Sequence, residues 1–178
     1  MPEQHNTPDS ELLYWFIFDK QNLLVRKEGD SFRIPLLTRD AAKRYAADGI
    51  RGIGAAGGIR CCAAVLNSEL GLEEPFSLAE LRPLFGLIDF ELFWMGARAL
   101  HLLHWDSRSR FCGVCGSPNR EKGDESAKVC TSCGEIVYPR ISPAVIVAVV
   151  KDGKILLANA NRFNAKLYSV IAGFVEPG

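Results

Sequence analysis

Four cysteines, arranged as two Cys-x-x-Cys pairs, limit the possible fold of this sequence more than any other pattern in it. Cys112 pairs with Cys115 and Cys130 with Cys133, and each pair is followed directly by a glycine. A Cys-x-x-Cys turn directs two sulfurs at one point, so two such turns supply the four thiolates of a closed tetrahedral zinc site. The pattern predicts a zinc ribbon in which the metal stabilises the fold and keeps no open position for activating water.

Disulfide bonds and redox chemistry are poorer explanations of these cysteines. The first residues are polar and lack the basic and apolar regions of a signal peptide, which argues against a compartment where disulfides form. A redox motif needs one pair, and this sequence has two. Two further cysteines, Cys61 and Cys62, are adjacent in a predicted strand, so they point to opposite faces and are expected to be buried thiols.

Charge and hydropathy exclude several classes of function. Lys plus Arg and Asp plus Glu number 21 each among 178 residues, so no net charge attracts the protein to nucleic acid or to an anionic membrane. The longest apolar runs, Leu12 to Phe18 and Ala144 to Val150, are far shorter than the ~20 residues that span a bilayer. We therefore expect a cytoplasmic protein that does not bind a membrane.

The segment before the cysteines predicts an α+β domain. Residues 1–10 are expected to form a disordered tail, and strands over 12–18 and 23–26 flank a polar turn. Thr38 is expected to cap a short helix through Ala47, and two more strands follow over 50–53 and 59–66.

A helical period begins near Ser77 and continues to Trp105. Apolar residues recur there at three and four positions, and Ser77-Leu78-Ala79-Glu80 is typical of a helix start. Pro83 predicts an interruption, so we expect a short helix followed by a long one. His101 and His104 stand three apart on the long helix, where we expect them to lie along a packed face rather than to bind a metal.

The glycines Gly52, Gly54 and Gly57 match the dinucleotide-binding fingerprint Gly-x-Gly-x-x-Gly in letters. That fingerprint works only when a strand precedes it and a helix begins within it. Here a helix-like stretch precedes the glycines and a strand-like stretch follows them. We interpret the segment as a turn between two strands.

The segment after the cysteines predicts strands without a covering helix. A strand over 144–150 leads through the hairpin signal Lys151-Asp152-Gly153-Lys154 into a strand over 155–158. An apolar stretch over 168–175 follows, and the sequence stops at Gly178. Strands with a bare apolar face are unusual in a complete domain, so this part is expected to be unfinished.

The order of these segments resembles that of a known family. The parts that carry the resemblance are Leu102-Leu103-His104-Trp105, the four-cysteine ribbon, Tyr138-Pro139-Arg140-Ile141-Ser142-Pro143, the hairpin after Ala144, and the final Ala172-Gly173-Phe174-Val175-Glu176-Pro177-Gly178. Together they resemble the NADH pyrophosphatase branch of the Nudix hydrolases, closely from about Leu81 onward and more weakly before it. The resemblance implies a tail over 1–10, a rudimentary Nudix-like domain over 11–106, a zinc ribbon over 107–138 and the first strands of a Nudix α/β/α sandwich over 139–178.

The resemblance also implies a reaction and a set of functional residues. The family hydrolyses the pyrophosphate of NADH or NAD to nicotinamide mononucleotide and AMP, which extends to removing an NAD cap from RNA, and its members are usually homodimers. The reaction uses Mg²⁺ or Mn²⁺ held by carboxylates. By resemblance, Tyr138 and Phe174 contact the nucleotide, Arg82 contacts substrate, and the backbone carbonyl of Ala172 coordinates the catalytic ion.

In this family, the carboxylates that hold the catalytic ion lie on the helix of the Nudix box. This sequence contains only the beginning of that box. Gly173 matches its first glycine, and Gly178 matches the position before its first glutamate. The sequence as written is therefore expected to be a truncated and inactive piece. Glu176 falls on a variable position, so we expect it to be a loop charge.

Two alternatives stay open. The ribbon could be a nucleic-acid-binding module that uses the basic residues around the cysteines, which are Arg108, Arg110, Arg120, Lys122 and Lys128. Interleaved acidic residues (Asp106, Glu121, Asp124 and Glu125) and the lack of an aromatic platform argue against this. The other alternative is a non-catalytic module for dimerisation.

Overall fold

The computed structural model describes residues 10–46, 50–67, 71–159 and 167–177. Of the predicted tail over 1–10, only Ser10 belongs to the described residues. The protein divides into two compact units, Met1–Pro139 and Arg140–Gly178. The fold is of the α+β class, as the sequence predicted.

Within the described residues, the first unit is built on a seven-stranded sheet. Strand β1 lies parallel to β6, and every other pair in the sheet is antiparallel. The order is β3-β2-β1-β6-β5, with β4 added beside β1 and β7 beside β2. The strands are β1 (Leu13–Asp19), β2 (Asn22–Glu28), β3 (Ser31–Arg33), β4 (Leu36–Leu37), β5 (Arg51–Ala56), β6 (Ile59–Val65) and β7 (Phe76–Glu80).

Strand β1 is buried on both faces because its alternating side chains enter two hydrophobic clusters of the described residues. Phe16 and Phe18 belong to one cluster, and Leu13, Trp15 and Ile17 belong to the other. Successive side chains of a strand point to opposite faces, so this apolar run anchors both layers. The sheet core therefore depends on β1 more than on any edge strand.

The short helix α1 (Arg39–Lys43) begins where the sequence predicted. The Thr38 hydroxyl accepts a hydrogen bond from the backbone N–H of Ala41 at 3.3 Å, which is the geometry of an N-cap. The helix ends at Lys43 rather than reaching Ala47, which lies outside the described residues.

The helix start predicted at Ser77 is wrong. Residues Phe76–Glu80 form β7, which pairs with β2 so that Leu78 lies opposite Leu24. The predicted short helix is reduced to a 3-10 turn over Arg82–Leu84, which contains Pro83. The long helix is confirmed as α2 (Phe90–Arg108), and its N-cap is Asp89, whose carboxylate accepts from the N–H of Leu92 at 3.1 Å.

The glycine-rich segment is a turn between strands, as predicted. Gly57 and Gly58 join β5 to β6 with φ angles of 54° and 79°, a region that glycine enters without steric cost. The N–H of Gly57 donates to the carboxylate of Glu91 at 2.9 Å. No helix begins at the turn, so the match to the dinucleotide-binding fingerprint is a chance sequence match without the structure that the fingerprint requires.

Helix α2 approaches the sheet closely at Gly96. A Cβ at this position would lie 3.0 Å from Leu81 Cδ1 and 3.5 Å from Phe16 Cδ1. The same face of the helix buries Ala99, Leu102 and Trp105. The helix thus runs over the sheet and leads directly to the cysteine segment.

The fully described stretch 107–138 forms a three-stranded antiparallel sheet in the order β10-β9-β8. Its strands are β8 (Asn119–Glu121), β9 (Lys128–Cys130) and β10 (Ile136–Val137). No helix in the described part of the protein has both the length and the apolar character needed to cross a membrane.

The second unit contains two strand pairs among its described residues. One is β11 (Ala144–Val147) with β14 (Ile171–Phe174), and the other is β12 (Val150–Lys151) with β13 (Lys154–Ile155). The hairpin predicted at 151–154 is confirmed, with φ angles of 48° at Asp152 and 69° at Gly153. The single strand predicted over 144–150 is divided between β11 and β12.

Candidate metal centre and nucleotide-contact residues

The two Cys-x-x-Cys turns of the ribbon are closed by backbone hydrogen bonds. The N–H of Cys112 donates to the Ser117 carbonyl at 2.8 Å, and the N–H of Gly116 donates to the Cys112 carbonyl at 3.0 Å. Gly116 and Gly134 adopt φ angles of 74° and 78°, so a glycine suits the position after each pair. These turns bring the four sulfurs together.

The spacing of the sulfurs fits a zinc ion. All four lie within 4.8 Å of one another. The Sγ–Sγ distance is 3.7 Å for Cys112 and Cys133, 3.5 Å for Cys115 and Cys130, and 3.6 Å for Cys115 and Cys133. A tetrahedron with Zn–S bonds of about 2.3 Å has edges of about 3.8 Å, so the cluster is the right size for Zn²⁺ with no open position.

Backbone N–H groups point at the sulfurs and stabilise their charged form. Val114 donates to Cys112 Sγ, and Ser132 and Cys133 donate to Cys130 Sγ, each at 3.4 Å. Hydrogen bonds from the backbone and side chain of Ser117 lower the pKa of Cys115 to about 6. A thiolate is the form that binds metal, so the knuckles are preorganised for zinc.

Cys133 shows why four adjacent sulfurs need a cation. The backbone N–H of Glu135 lowers its pKa, but hydrogen bonds with Cys115 and Cys130 outweigh this effect and raise the pKa to about 12. Closely packed thiolates repel one another, which favours the protonated form of a sulfur among them. A divalent cation takes the place of such protons, because its charge stabilises all four thiolates together.

The four cysteines form the one group of three or more metal-ligating side chains among the described residues. Neither His101 nor His104 belongs to it. Cys61 and Cys62 are buried at 1% and 3% exposure, as predicted, and burial raises the pKa of both thiols, to about 11 for Cys61.

A network of ion pairs joins the ribbon to the end of α2 and to β5. Asp106, in the last turn of α2, accepts from Arg51 at 3.3 Å and from Lys128 at 2.9 Å. Arg51 also pairs with Glu121 of β8. Strand β5, helix α2 and the ribbon therefore meet in one polar cluster.

Trp105 lies at the centre of this network. The Arg51 guanidinium is 5.3 Å from its ring centroid, and the Lys128 ammonium is 5.6 Å away. Both distances are in the range of cation–π contacts. Sequence reasoning missed this cluster because its partners lie up to 70 residues apart, and no local pattern connects them.

The structure places the predicted substrate residues in separate elements. Arg82 is exposed at the first position of the 3-10 turn. Tyr138, at the end of the ribbon, is 55% exposed, and its hydroxyl donates to Glu125 Oε1 at 3.2 Å. Phe174, in β14 of the second unit, is 76% exposed.

The register of β14 determines the direction of the Ala172 carbonyl. The N–H of Val175 donates to the Pro143 carbonyl at 2.9 Å, and Ala172 lies opposite Ile146. Bonded and non-bonded pairs alternate along an antiparallel ladder, so Ala172 occupies a non-bonded pair. Its backbone carbonyl therefore points away from β11.

The fold and the cysteine cluster define a zinc-ribbon protein in which the ribbon follows a mixed α+β domain. The sequence model of the NADH pyrophosphatase-like rudimentary NUDIX domain matches residues 13–105. The model of the NADH pyrophosphatase zinc ribbon domain matches residues 107–138. The chain belongs to this NADH pyrophosphatase-like NUDIX family, and the resemblance seen in the sequence is confirmed.

Similar proteins carry the name NAD-capped RNA hydrolase NudC. The chain is 43% identical over 98 residues to that of Stutzerimonas stutzeri, a match covering 55% of this chain and 36% of the relative. It is 46% identical over 97 residues to that of Photobacterium profundum (54% and 36%) and 39% identical over 109 residues to that of Edwardsiella ictaluri (61% and 42%). The chain thus spans 36 to 42% of the length of these relatives.

Proposed function

We propose that this protein is part of a Nudix hydrolase that cleaves the pyrophosphate of NADH or NAD into nicotinamide mononucleotide and AMP. We extend the proposal to the NAD cap of RNA, because the relatives are named for that substrate. The observation that carries it is the consecutive match of a rudimentary NUDIX domain and a NADH pyrophosphatase zinc ribbon over one continuous segment.

Two exposed aromatic rings support a role in holding the dinucleotide. The hydroxyl of Tyr138 donates a hydrogen bond to Glu125, which holds the ring in place, while more than half of the residue is exposed to solvent. The ring is therefore positioned and still accessible to a ligand. Phe174 is more exposed still. Flat rings of this kind stack on nicotinamide or adenine with little loss of conformational entropy. Arg82 would add a positive charge for the diphosphate.

The catalytic ion in this proposal is Mg²⁺ or Mn²⁺. Such hard cations prefer oxygen ligands, and the outward-pointing carbonyl of Ala172 is available as one. The ion would neutralise the diphosphate and lower the pKa of the attacking water. In the family pattern, the carboxylates that hold it follow the position matched by Gly178, so we propose that these 178 residues bind the dinucleotide without cleaving it.

We also propose a homodimer in the cytoplasm. A tetrathiolate zinc site persists where thiols stay reduced, which fits the cytoplasm. Every residue of β11 and β14 is exposed, including several large apolar side chains, and association would cover apolar surface of this extent.

The proposal is tested by titrating NADH into the zinc-loaded 178-residue protein and following NADH fluorescence. Tyr138→Ala and Phe174→Ala are each expected to weaken binding roughly 5- to 30-fold, the loss of one aromatic contact. Phe85→Ala and Tyr168→Ala are matched controls because both side chains are 60% exposed and carry no proposed role. Equal binding by all variants, or no NADH binding, would contradict the proposal.

Hydrolysis is tested separately with NADH and Mg²⁺ or Mn²⁺, with products separated by chromatography. We expect neither nicotinamide mononucleotide nor AMP from the 178-residue protein. Release of both would show that carboxylates within these residues suffice for catalysis. A dimeric protein that neither binds nor cleaves NADH would favour the scaffold alternative.

A further inference from the structure

Each of the four acidic residues interleaved with the ribbon's basic residues forms an ion pair within the protein. Asp106 and Glu121 pair with Arg51, and Asp106 pairs also with Lys128. Lys122 binds Asp124 at 2.6 Å and Glu125 at 2.8 Å, and these hydrogen bonds raise the pKa of Lys122. These pairings weaken the opposition of the four acids to an anionic ligand, although four carboxylates share three cations and one negative charge is left over.

The three arginines of the ribbon behave differently from its lysines. Arg108, Arg110 and Arg120 are exposed, and no carboxylate within the described ranges forms an ion pair with any of them. Lys128, by contrast, is 6% exposed and faces the end of α2. Each of these three guanidinium groups is thus exposed and has no carboxylate partner in the part of the protein that the structure describes.

An exposed aromatic ring lies beside one of these arginines. Phe111 is 60% exposed, and the Arg110 guanidinium carbon is 6.0 Å from its ring centroid. Phe111 lies directly opposite Pro118 in an isolated antiparallel bridge at the start of β8, and the N–H of Asn119 donates to the Arg110 carbonyl at 2.9 Å. Residues two apart on a strand share a face, so Arg120 lies on the same face as Pro118 and Phe111.

We propose that Arg108, Arg110, Phe111 and Arg120, the ribbon surface, bind the single-stranded RNA body behind the NAD cap. This inference rests on the proposed function for its ligand. One unpaired base would stack on Phe111, and the guanidinium groups would pair with the neighbouring phosphates. Aromatic side chains together with cations are the usual means of holding single strands without reading their sequence.

The affinity of this surface is expected to be modest and strongly dependent on salt. Four thiolates and one Zn²⁺ carry a net charge of about −2 beside the surface, which opposes a polyanion. The N–H donors to Cys112 and Cys130 spread part of that charge. Each phosphate contact to a single strand contributes about 0.7 to the slope of log affinity against log salt, so three arginines give a slope near −2.

The test uses the zinc-loaded protein and a labelled 5′-hydroxyl RNA of roughly 10 nucleotides, short enough for one binding surface. Fluorescence anisotropy is measured between about 50 and about 200 mM KCl. Phe111→Ala is expected to weaken binding roughly 5- to 100-fold, the loss of one stacked base, while Phe111→Tyr retains it. Arg110→Ala and Arg120→Ala are each expected to reduce the salt slope by about 0.7.

Matched controls separate this surface from general effects. Phe85→Ala removes an equally exposed ring that lies outside the ribbon, and Arg33→Ala removes an exposed arginine that pairs with Glu28. Both are expected to bind RNA like the unsubstituted protein. A duplex of the same length is expected to bind more weakly, because its bases cannot stack on Phe111. Zinc content and circular dichroism confirm that each variant is folded.

Three results would overturn the inference. They are RNA binding unchanged in the Phe111 and arginine variants, binding equally lost in the two controls, or a Phe111 variant that alters self-association instead of RNA binding. NADH binding by the unsubstituted protein is measured in parallel. RNA binding without NADH binding would overturn the proposed function while supporting the ribbon surface as an RNA site.

Discussion

The ammonium group of Lys128 donates to both the backbone carbonyl and the carboxylate of Asp106, each at 2.9 Å. Lys128 belongs to β9, two residues before Cys130, and Asp106 belongs to the last turn of α2. A cation at this place satisfies a carbonyl at the end of the helix and complements the negative end of its dipole. The ribbon is therefore fastened to helix α2 by a lysine two residues away from a metal ligand.

Replacing Lys128 with Met is expected to lower the free energy of unfolding by about 1 to 3 kcal/mol, because charge-assisted hydrogen bonds of a buried side chain are lost. Met keeps the apolar stem over Trp105, and Arg51 still pairs with Asp106, which limits the effect. Urea denaturation of the zinc-loaded protein measures it. Lys43→Met, in an exposed pair with Asp40, should change stability by no more than about 0.5 kcal/mol. Equal effects in both variants would contradict a structural role for Lys128.

Metal analysis of the purified protein is expected to find about one zinc per protein molecule. Cys112→Ser or Cys130→Ser removes a thiolate, so zinc is lost and the ribbon unfolds, because binding and folding of such sites are one process. Cys62→Ala is the control, since this thiol is buried in the sheet and should leave the zinc content unchanged. A metal-free but well-ordered protein would refute the assignment.

The phenol of Tyr138 is expected to titrate above its ordinary pKa, because its O–H donates to the Glu125 carboxylate, which also repels the phenolate. A raised pKa means that this interaction stabilises the fold below about pH 10 and is lost as the pH rises through the folded value. Ultraviolet difference titration against Tyr138→Phe measures it. Glu125→Gln should lower the pKa toward about 10, and Glu135→Gln should not.

Substituting Gly96 with Ala is expected to destabilise the protein despite the better helix propensity of alanine. The added methyl would lie 3.0 Å from Leu81 Cδ1, in a packed core. Overpacking costs about 1 to 3 kcal/mol, and the propensity gain is about 1 kcal/mol. Thermal unfolding measures the net loss. Gly52→Ala, with no atom within 4 Å of its Cβ position, is the control, and a stabilised Gly96→Ala variant would show that the helix can move away.

The parts of the fold that the sequence predicts well are those with a local signal. The Thr38 cap, the turn at Gly57 and the cysteine knuckles each use chemistry confined to a few neighbouring residues. Strand β7 shows the limit, because the spacing of Leu78 and Leu81 fits a helix equally well. Pairing with β2 decides in favour of the strand, and the residues of β2 lie some fifty positions earlier.

The candidate site follows the same rule. The ligating cysteines could be identified from their spacing, whereas the pairing of Lys128 with Asp106 depends on how the ribbon folds back on α2. Five basic residues looked equivalent in the sequence. The structure divides them into two lysines that pair with carboxylates and three exposed arginines without an ion pair among the described residues. Lys122 pairs with its near neighbours Asp124 and Glu125, whereas the pairing of Lys128 depends on tertiary contacts.

The parallel pairing of β1 with β6 joins residues that lie far apart in the sequence. Tyr14 meets Cys61, 47 residues later, whereas Asn119 of the ribbon meets Cys130 after only 11. Closing the longer loop is slower, because more residues must lose conformational entropy before the contact contributes stabilising free energy. In the full-length chain we therefore expect the ribbon contacts to close faster than the pairing of β1 with β6. During synthesis, a nascent polypeptide that has not yet made β6 leaves the most apolar strand of the sheet without its central neighbour.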